Sequence, residues 1–405
     1  MPHSKSTLLD PDFLRDPFPR LREFRDHDPV FWDPDLETWF ITRHEDVRAL
    51  LSDERLSRDT RLARGYEAPT PGSWSAHFEK HSSLYLSPED HLRWRSRVSA
   101  GFTPRAVRRM EQQVRDVVSS FVAPIVGRKG VVDLLPIFTS PIPNTVIGRI
   151  AGIPPFPGDE ERFRTLAQDM VRRFIFLADA ENVKRGEAAL VEMAEWILDL
   201  AEKRRHQPQD DLLSDLLSGA TGETPMSNHE IVVFVAGLVS AGSETTTLGG
   251  NQLIRHLLTH PDQFAKVRAD RSLIPNAVRE AVRFDFGNIA AVNTRFALED
   301  FTLRGKTIRA LEPIMLSLAS ANRDPRVFDD PDRFEVTRDT GEALSFGRGP
   351  HFCLGANLAM QEMGCMLEGA LEFLPEAARF SGTEADLEQI GIMQRPLRLP
   401  VDFGP

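Results

Sequence analysis

A single cysteine stands in a glycine-rich segment just before a predicted helix. The segment reads Phe346-Gly-Arg-Gly-Pro-His-Phe-Cys353-Leu-Gly355. Its glycines allow the backbone to adopt positive φ and to fold closely around the sulfur, so that backbone N–H groups point at it. The start of the following helix adds a favourable dipole, and both features stabilise a thiolate. The sequence therefore predicts a deprotonated sulfur that binds a metal.

The number of cysteines limits which metal group this sulfur can serve. The chain has two cysteines among 405 residues, which excludes a disulfide scaffold and a four-cysteine zinc site. One thiolate cannot hold zinc or an iron–sulfur cluster alone, but it can be the axial ligand of a haem whose porphyrin supplies four other ligands. The alternative is a buried free cysteine in a turn. We give that interpretation to Cys365, which lacks such a frame.

The longest apolar segment is followed by residues that disfavour a regular helix. Ile231 to Ala241 is apolar almost all round, so its helix should cross the interior. The run Ala241-Gly242-Ser243-Glu244-Thr245-Thr246 comes next, and a Gly-Ser pair with hydroxyl residues predicts a local widening or kink. Alternatively, the glycine permits close helix packing while the threonine hydroxyls hydrogen-bond back to the backbone.

Two further pairs of polar residues stand at helical spacing. Glu280 and Arg283 are three residues apart, and His91 and Arg95 are four apart, so each pair shares one helix face. A solvent-exposed ion pair of little energetic value is the alternative for the first pair. Ordinary exposed charges are the alternative for the second.

Together these segments resemble the cytochrome P450 family. Residues 346–355 match every position of its haem-binding pattern Phe-x-x-Gly-x-His-x-Cys-x-Gly, and the other three segments match family signatures in the family's order. The resemblance implies a mainly α fold with a small β-rich lobe, a triangular helical prism around a b-type haem. It also implies one domain over residues 1–405, in the short bacterial form.

The resemblance gives roles to individual residues. Cys353 would be the iron ligand, Thr245 would hydrogen-bond to the reacting oxygen, and Glu244 would relay protons from solvent. Glu280 and Arg283 would form a buried structural brace for the cysteine loop. The sequence leaves three candidates for the arginine that completes this brace: Arg323, Arg333 and Arg338. The residues implied to bind haem are His91, Arg95, Arg295 and His351 at the propionates, with Phe346, Gly347, Ala241 and Gly242.

A mostly apolar substrate pocket is also implied. Its lining would be Gly237, Ser240, Ala241, Ala290, Ala291, Asn293, Ile392 and Met393, with Phe174 and Phe176 in the roof. The family often has a proline after the Glu-x-x-Arg pair, whereas this chain reads Phe284-Asp-Phe-Gly-Asn288. We therefore expect an unusual path for the substrate-facing turn. Arg172 is interpreted as solvated surface.

By resemblance, the chain is a haem-thiolate monooxygenase that inserts one oxygen atom of O2 into a small, mostly apolar substrate by hydroxylation or oxidative demethylation. Its electrons would come from an acidic ferredoxin and an NAD(P)H-dependent reductase. A basic patch would receive that ferredoxin: Arg93, Arg97, Arg105, Arg108, Arg109 and Arg348. Two alternatives stay open. One is a peroxide-driven or rearranging haem-thiolate enzyme, against which Glu244 and Thr245 argue, and the other is a non-catalytic haem protein that binds a gas.

A mostly helical chain must position these residues. Predicted helices cover residues 43–51, 89–101, 104–124, 140–151, 159–176, 183–205, 210–218, 227–258, 272–285 and 356–374. Ser227 and Glu230 form a capping-box pattern at the start of the longest helix. A hairpin is predicted over Val30–Thr42, and short strands are predicted within 289–320 and at the C-terminus. Residues 57–90 are predicted to form a long loop of the kind that serves as a lid or binding loop. The β-rich lobe is therefore predicted at about 28–60 and 289–320 plus the C-terminal strands, and the helical lobe at about 89–285 and 356–374.

Composition sets the remaining limits. Hydrophobic residues make up 41% of the chain and charged residues 27%, which favours a sizeable core over disorder. The formal net charge of −11 argues against a nucleic-acid-binding protein that acts through overall charge. No stretch approaches roughly 18 consecutive apolar residues, and the N-terminal segment lacks an apolar signal-type core. We therefore expect a cytoplasmic protein without a membrane anchor.

Overall fold

Apolar residues at helical spacing build most of the interior, and the strands gather in a smaller lobe. The computed structural model describes residues 8–154, 159–172, 180–219, 225–285, 294–383, 386–390 and 393–405. The helices within them are α1 (Pro11–Arg15), α2 (Phe18–His27), α3 (His44–Leu50), α4 (Trp74–His81), α5 (Pro88–Ser99), α6 (Pro104–Arg109), α7 (Glu111–Val122), α8 (Pro141–Ala151), α9 (Glu160–Arg172), α10 (Ala180–His206), α11 (Leu212–Ser218), α12 (Asn228–Thr259), α13 (Pro261–Ala269), α14 (Ile274–Phe284), α15 (Leu318–Ala321) and α16 (Ala356–Phe373). The strands are β1 (Val30–Asp33), β2 (Thr38–Ile41), β3 (Leu56–Ser57), β4 (Val131–Asp133), β5 (Thr294–Ala297), β6 (Phe301–Leu303), β7 (Lys306–Ile308), β8 (Pro313–Leu316), β9 (Arg379–Phe380), β10 (Leu387–Ile390), β11 (Met393–Pro396) and β12 (Pro400–Asp402).

Most predicted helices are present, and the differences have local causes. The predicted helix 104–124 is divided into α6 and α7, because the backbone departs from regular α-helical geometry at Met110, where φ is −84° and ψ is −7°. The predicted loop 57–90 contains α4, whose first turn is capped by the Ser73 side chain, which accepts a hydrogen bond from the Ala76 N–H. Helix α13 was not expected from the pattern. It begins with Pro261. Proline fits the first position of a helix because the N–H that it lacks would make no hydrogen bond within the helix.

The β-rich lobe begins with the predicted hairpin. Strands β1 and β2 pair antiparallel, with Val30 opposite Ile41. They extend into a five-stranded sheet of order β1-β2-β8-β5-β3, in which β2 and β8 run parallel. Buried aliphatic side chains of this sheet pack on Val47 of α3 and form a hydrophobic cluster of their own. The lobe therefore has a core separate from the larger helical one.

Helix α12 is the central helix of the larger lobe. The predicted capping box is present: the Ser227 side chain accepts from the Glu230 N–H, and the Glu230 carboxylate accepts from the Ser227 N–H at 2.9 Å. The predicted widening is wrong, because the backbone stays α-helical over all 32 residues, a length of about 48 Å. By length and composition alone α12 could cross a membrane. It packs, however, on α8, α9, α10, α14 and α16, as the core helix of a folded protein does.

The cysteine loop lies where the two lobes meet. Ser52 follows α3 in the β-rich lobe, and a Cβ atom on Gly349 would lie 2.5 Å from its hydroxyl oxygen. Helix α16, which follows the loop, packs on α7, α12 and α14. The loop is therefore held between the sheet lobe and the helical core.

Candidate active site

The loop before α16 folds its backbone around the cysteine. Gly347 and Gly349 have φ values of +71° and +72°, a region that residues with side chains rarely adopt. The Cys353 N–H donates to the Phe346 carbonyl at 2.9 Å, which closes the loop. Phe346 and Gly347 therefore belong to the frame that holds the sulfur.

Opposing effects act on the Cys353 thiol. Desolvation by the surrounding protein atoms is the largest effect and raises its pKa, and hydrogen bonds from the backbone of Gly355 and Ala356 and the charge of Arg95 offset that rise in part. These donors favour the thiolate, and a metal cation on the sulfur would favour it further. Cys353 is accessible to solvent, whereas Cys365 is buried. Burial raises the pKa of Cys365 to about 11, as suits a core residue.

The four residues predicted to bind propionates lie on three different elements and converge. His91 and Arg95 lie on α5, Arg295 on β5, and His351 two residues before the cysteine. The ring centroids of His91 and His351 are 4.1 Å apart. His91 and Arg295 are both buried. The structure therefore places two histidines and two arginines in one cluster beside the cysteine loop.

The charges that act on His91, His351 and Arg295 are positive. Burial, then Arg95 and Arg58, lower the pKa of His91 to about 4. Burial and the surrounding cations, Arg58 first, lower the pKa of His351 to about 2. Burial and Arg58 lower the pKa of Arg295 to about 9. Buried positive charges need anionic partners, and the two carboxylates of a porphyrin would provide them.

Arg58 is the member of this neighbourhood that sequence reasoning missed. It follows β3 directly, and burial lowers its pKa to about 10. The sequence around it contains Arg55, Arg58 and Arg61 at intervals of three. That spacing alone does not distinguish an inward arginine from an outward one.

One face of α12 is accessible in the middle of an otherwise buried helix. Ala241 and Thr245 are one turn apart and exposed, whereas Ser243 between them is buried. Accessible residues on an interior helix line an internal space. The Thr245 hydroxyl donates to the Ala241 carbonyl at 2.6 Å. Gly242 faces α8 instead, since a Cβ there would lie 3.1 Å from Ile147. Both features are those of the regular, closely packed helix considered as the alternative.

Glu244, beside Thr245, is largely buried. Desolvation raises its pKa, and the charge of Arg395 and a hydrogen bond with Gln168 partly offset this effect. The Arg395 Nη1 lies 3.9 Å from the Glu244 Oε2, while the Glu244 Oε1 has no hydrogen-bond partner in the described part of the chain. A buried carboxyl with a raised pKa can donate and accept protons closer to neutral pH, as a proton relay requires.

Alternating charges connect Glu244 with the outer surface. The Arg395 Nη2 lies 2.8 Å from the Glu388 Oε2, and Glu388 lies 3.4 Å from the Arg172 Nη1. Arg172 is buried, so its interpretation as solvated surface is wrong. Its Nε donates to Asp169 at 2.9 Å. The full series, which joins α12, β11, β10, α9 and α10, is Glu244, Arg395, Glu388, Arg172, Asp169 and Arg185.

Glu280 and Arg283 form an ion pair with no solvent exposure in α14. The guanidinium donates twice to the carboxylate, at 2.7 and 2.8 Å. The arginine that completes the brace is Arg338, whose Nε donates to the Glu280 Oε1 at 3.1 Å. Sequence reasoning could not choose it because the choice depends on how the irregular segment before the cysteine loop folds back onto α14.

The brace reaches the cysteine loop through Asn322. The Arg283 Nη1 donates to the Asn322 carbonyl at 2.8 Å. The Asn322 side chain accepts from the Leu344 N–H at 2.7 Å and donates to the Ser345 hydroxyl at 2.9 Å. Ser345 directly precedes the loop. A buried charge on α14 therefore fixes the start of the segment that carries Cys353.

Arg323 fixes the exit from α14, where a proline was expected from the family. Its Nε donates to the Phe284 carbonyl at 2.9 Å. Its guanidinium carbon lies 3.8 Å from the ring centroid of Phe284 and 3.5 Å from that of Phe18. The predicted unusual turn beyond this point falls on residues 286–293, which lie outside the described residues.

The predicted pocket is only partly described. Gly237 is half-buried, and a Cβ there would lie 3.5 Å from the Phe78 ring of α4. Ser240 is buried, off the accessible face of α12. Phe78 was not singled out in the sequence, although it lies in the segment predicted to be a binding loop. Six predicted residues lie outside the described ones: Ala290, Ala291, Asn293, Ile392, Phe174 and Phe176. The side chain of Met393, at the start of β11, also does.

Most arginines of the predicted basic patch are exposed, but one of them is not. Arg97 lies 3.0 Å from Glu230 and is mostly covered. The Gln361 side chain donates to the Val107 carbonyl at 3.1 Å, which holds α6 against α16 beside the cysteine loop. The exposed members are Arg93, Arg105, Arg108, Arg109 and Arg348.

These residues fit a haem. In the described part of the chain no group of three or more His, Cys, Asp and Glu side chains could hold a metal ion, so a metal on Cys353 needs ligands from a bound group. A porphyrin brings those ligands, and its two carboxylates match the two arginines and two histidines of the cluster.

Comparisons with known proteins agree with this assignment. A family model described as cytochrome P450 matches residues 30–399. The vitamin D(3) 25-hydroxylase of Pseudonocardia autotrophica is 35% identical, over 98% of this chain and 96% of its own. The mycinamicin IV hydroxylase/epoxidase of Micromonospora griseorubida is 34% identical, over 90% and 89%. The crystal structure of P450BioI in complex with an acyl carrier protein that carries hexadec-9Z-enoic acid has a TM-score of 0.88 at 29% identity, over 97% of this chain and all of that one.

Proposed function

This chain belongs to the cytochrome P450 family of monooxygenases, and we propose that it inserts one oxygen atom of O2 into a small, mostly apolar organic molecule. The product would be a hydroxylated or oxidatively demethylated compound. Haem b would be the cofactor, a separate ferredoxin system would supply electrons, and the enzyme would work in the cytoplasm. The observation that carries the proposal is the cluster of His91, Arg95, Arg295 and His351 beside the cysteine loop, because its positive charge and hydrogen-bond donors are what a dicarboxylate porphyrin requires.

The loop and the cation cluster would hold the cofactor. Cys353 would bind the iron, with the N–H groups of Gly355 and Ala356 stabilising its negative charge. His91 and His351 would donate hydrogen bonds and Arg95 would add charge at the propionates; Arg295 would act in the same way. The haem would supply two-electron activation of O2, which no amino-acid side chain provides.

The accessible face of α12 would manage protons. The Thr245 hydroxyl is within reach of the internal space, and its hydrogen bond to the Ala241 carbonyl sets its orientation. Glu244 would take protons from solvent and pass them toward Thr245, while the charged series would hold its carboxyl in place without carrying the proton, because a guanidinium does not release one. Proton transfer of this kind needs hydrogen-bond reach, directly or through one water. The presence of this pair favours the O2-dependent reaction over a peroxide-driven one.

The substrate would be held mainly by apolar contacts. Its lining would include Gly237 and the Phe78 ring that lies against it, with the small Ala241 beside them. Two relatives are named for vitamin D(3) and for mycinamicin IV, and a structural neighbour was solved with a fatty acyl chain on a carrier protein. Molecules of these three kinds are therefore the first probes to test.

The electron donor would dock at the basic patch. Its exposed arginines lie on α5, on α6 and in the cysteine loop, on a protein whose formal net charge is −11. A local positive surface on an acidic protein steers a small acidic partner. Leu92 and Phe352, which are 71% and 43% exposed and lie close in sequence to Arg93 and Arg348, would add apolar contact.

The first experiment tests the cofactor. The purified protein is reduced with dithionite, exposed to carbon monoxide and examined for the strongly red-shifted Soret band of a thiolate-ligated haem. A Cys353→Ser variant should bind less haem and lack that band, whereas Cys365→Ser should keep it. Intact wild-type protein without the band would overturn the proposal.

A second experiment separates the candidate reactions. The three probes are screened for a low-spin to high-spin shift, and each one that gives it is incubated with a ferredoxin, its reductase, NADPH and O2. Oxygenated product that depends on all components supports a monooxygenase. Product formed only with added peroxide, or none with any spin-shifting compound, would contradict it.

A further inference from the structure

Helix α4 buries little of its surface against the rest of the molecule. Its buried residues are Ser75 and Phe78. The Ser75 hydroxyl donates to Glu187 of α10 at 3.2 Å, and the Phe78 ring lies against Gly237 of α12. A short helix with so little buried surface opens at a lower free energy than a core helix does. The remaining contacts of α4 therefore decide how firmly it is held.

Two histidines stack across the boundary between α4 and α12. The ring centroids of His77 and His229 are 3.7 Å apart, and the two ring planes differ by 12°. His81, one turn after His77, is stacked 6.4 Å from it. Trp74 lies 5.4 Å from His77 and 5.7 Å from His229, again between ring centroids. This stack is favourable while at least one imidazole is neutral, and it brings two positive charges into contact when both are protonated.

Burial and neighbouring charges oppose the protonation of His77. Burial lowers the pKa of His77, and His229 and Lys80 lower it further. The ring face of Trp74 can stabilise a cation on one imidazole, but it cannot relieve the repulsion between two cations at this separation. Two protonated rings would therefore push α4 and α12 apart.

The carboxylates near the stack are already bound to other groups. Glu230 of α12 favours the protonation of His81, but burial is the larger effect and the pKa of His81 is lowered. The Glu230 side chain accepts from the Ser227 N–H and pairs with Arg97 of α5 at 3.0 Å. The carboxylates on the other elements are Glu79 of α4, which accepts from Tyr66, and Glu187 of α10, which accepts from Ser75.

We propose that His77 and His229 form a pH-dependent latch, which holds α4 on α12 while an imidazole is neutral and releases it when both are protonated. A free imidazole takes up its proton at about pH 6.5. The pKa of His77 is lower than this in the docked state, so docking is fully stable above about pH 6.5 and weakens as the pH falls below it. The latch is independent of the proposed function. Only one consequence rests on that function, namely that release of α4 opens the pocket at Gly237 and Phe78.

Amide hydrogen exchange, followed by mass spectrometry, measures the release of α4 in the full-length protein as purified. Protection of α4 is compared about one pH unit above and about one below the ordinary histidine pKa of about 6.5, after correction for the intrinsic exchange rate at each pH. We expect protection to be about fivefold lower or more at the lower pH, since two charges at this separation change an equilibrium by about that factor even in water. The core helix α16 should keep its protection.

Histidine variants test whether the stack is responsible. H77Q and H229Q should each remove most of the pH dependence, because only one of the two facing charges remains. H206Q is the control, since His206 at the end of α10 has a side chain that is 77% exposed, and it should keep the wild-type dependence. A contact with a purely structural role would instead make H77Q and H229Q lose protection equally at both pH values.

Three results would overturn the latch: that equal loss, a wild-type α4 whose protection does not change with pH, or a wild-type pH dependence in both H77Q and H229Q. If H77Q does not fold, H229Q decides, because His229 is exposed. The carbon monoxide spectrum of the same sample reports the cofactor separately, so the latch and the proposed function can fail independently.

Discussion

Replacing Arg283 by leucine is expected to destabilise the protein strongly and to loosen the cysteine loop. The substitution removes both hydrogen bonds to Glu280, which has no solvent exposure. It also removes the donor to the carbonyls of Asn322 and Pro331. Breaking a buried ion pair from one side costs about 3–5 kcal/mol, because the remaining charge stays buried without its partner. We therefore expect the free energy of unfolding to fall by about 4 kcal/mol.

Arg338→Leu is the matched control for this prediction. It removes one hydrogen bond of 3.1 Å to the same carboxylate and the donors to the carbonyls of Asp329, Asp330 and Arg333, while the two bonds from Arg283 to the carboxylate remain. The loss of stability should be smaller than for Arg283→Leu, because the Glu280 carboxylate keeps its fully buried partner. The two variants therefore separate the brace itself from the arginine that completes it.

Urea unfolding followed by circular dichroism measures both effects, and the carbon monoxide spectrum reports the loop. Arg283→Leu should lose the red-shifted Soret band at a lower urea concentration than the wild type, and before the helical signal is lost. An Arg283→Leu protein within about 1 kcal/mol of the wild type would refute the reasoning, since a fully buried carboxylate cannot lose its main partner without cost. Equal effects of the two variants would refute the distinction between them.

Three further predictions concern protons. Thr245→Ala should divert electrons from product to peroxide, measured as hydrogen peroxide per NADPH, and full retention of coupling would contradict the proton relay. Arg395→Gln should raise the pKa of Glu244 still further, because Arg395 is the main charge that offsets its burial. The pH profile for the coupling of electrons to product should therefore move to higher pH. Arg398→Gln, at an exposed position, should leave that profile unchanged. Burial raises the pKa of Glu362 from its ordinary 4.5 to about 8, so between these values the folded state holds a proton that the unfolded state has released. Stability should therefore fall by about 1.4 kcal/mol per pH unit in this window, and Glu362→Gln should remove that slope in urea titrations at several pH values, whereas an unchanged slope would contradict the assignment.

The sequence predicts the cysteine loop well because its information is local. The glycines at 347 and 349 and the cysteine at 353 lie within a few residues, and the backbone they require is formed by the same segment. The capping box at Ser227 is local in the same sense. The sequence did not predict helix α4 because its only buried residues are Ser75 and Phe78. Two residues are too few to show the helical spacing of apolar side chains.

Contacts between distant segments explain the remaining differences. Arg338 joins Glu280 across 58 residues, and Arg395 approaches Glu244 across a far larger separation. Nothing in the spacing of these residues distinguishes them from other arginines, because the tertiary fold alone decides which of them face inward. The predicted widening at Gly242 is absent for a related reason. The segment packs closely against Ile147 of α8, a contact that the composition of α12 does not reveal.

The alternating positive and negative side chains from Glu244 to Arg185 limit which substitutions these positions can accept during evolution. Each inner member has a neighbour of opposite charge on either side, so replacing Arg395 singly removes the ion pair with Glu244 and one of the two ion pairs of Glu388. Substitutions at these positions should therefore occur in pairs. Among homologues, we expect the residues aligned with Arg395, Glu388 and Arg172 to covary, and loops grafted from one homologue into another to fail unless all three are transferred together.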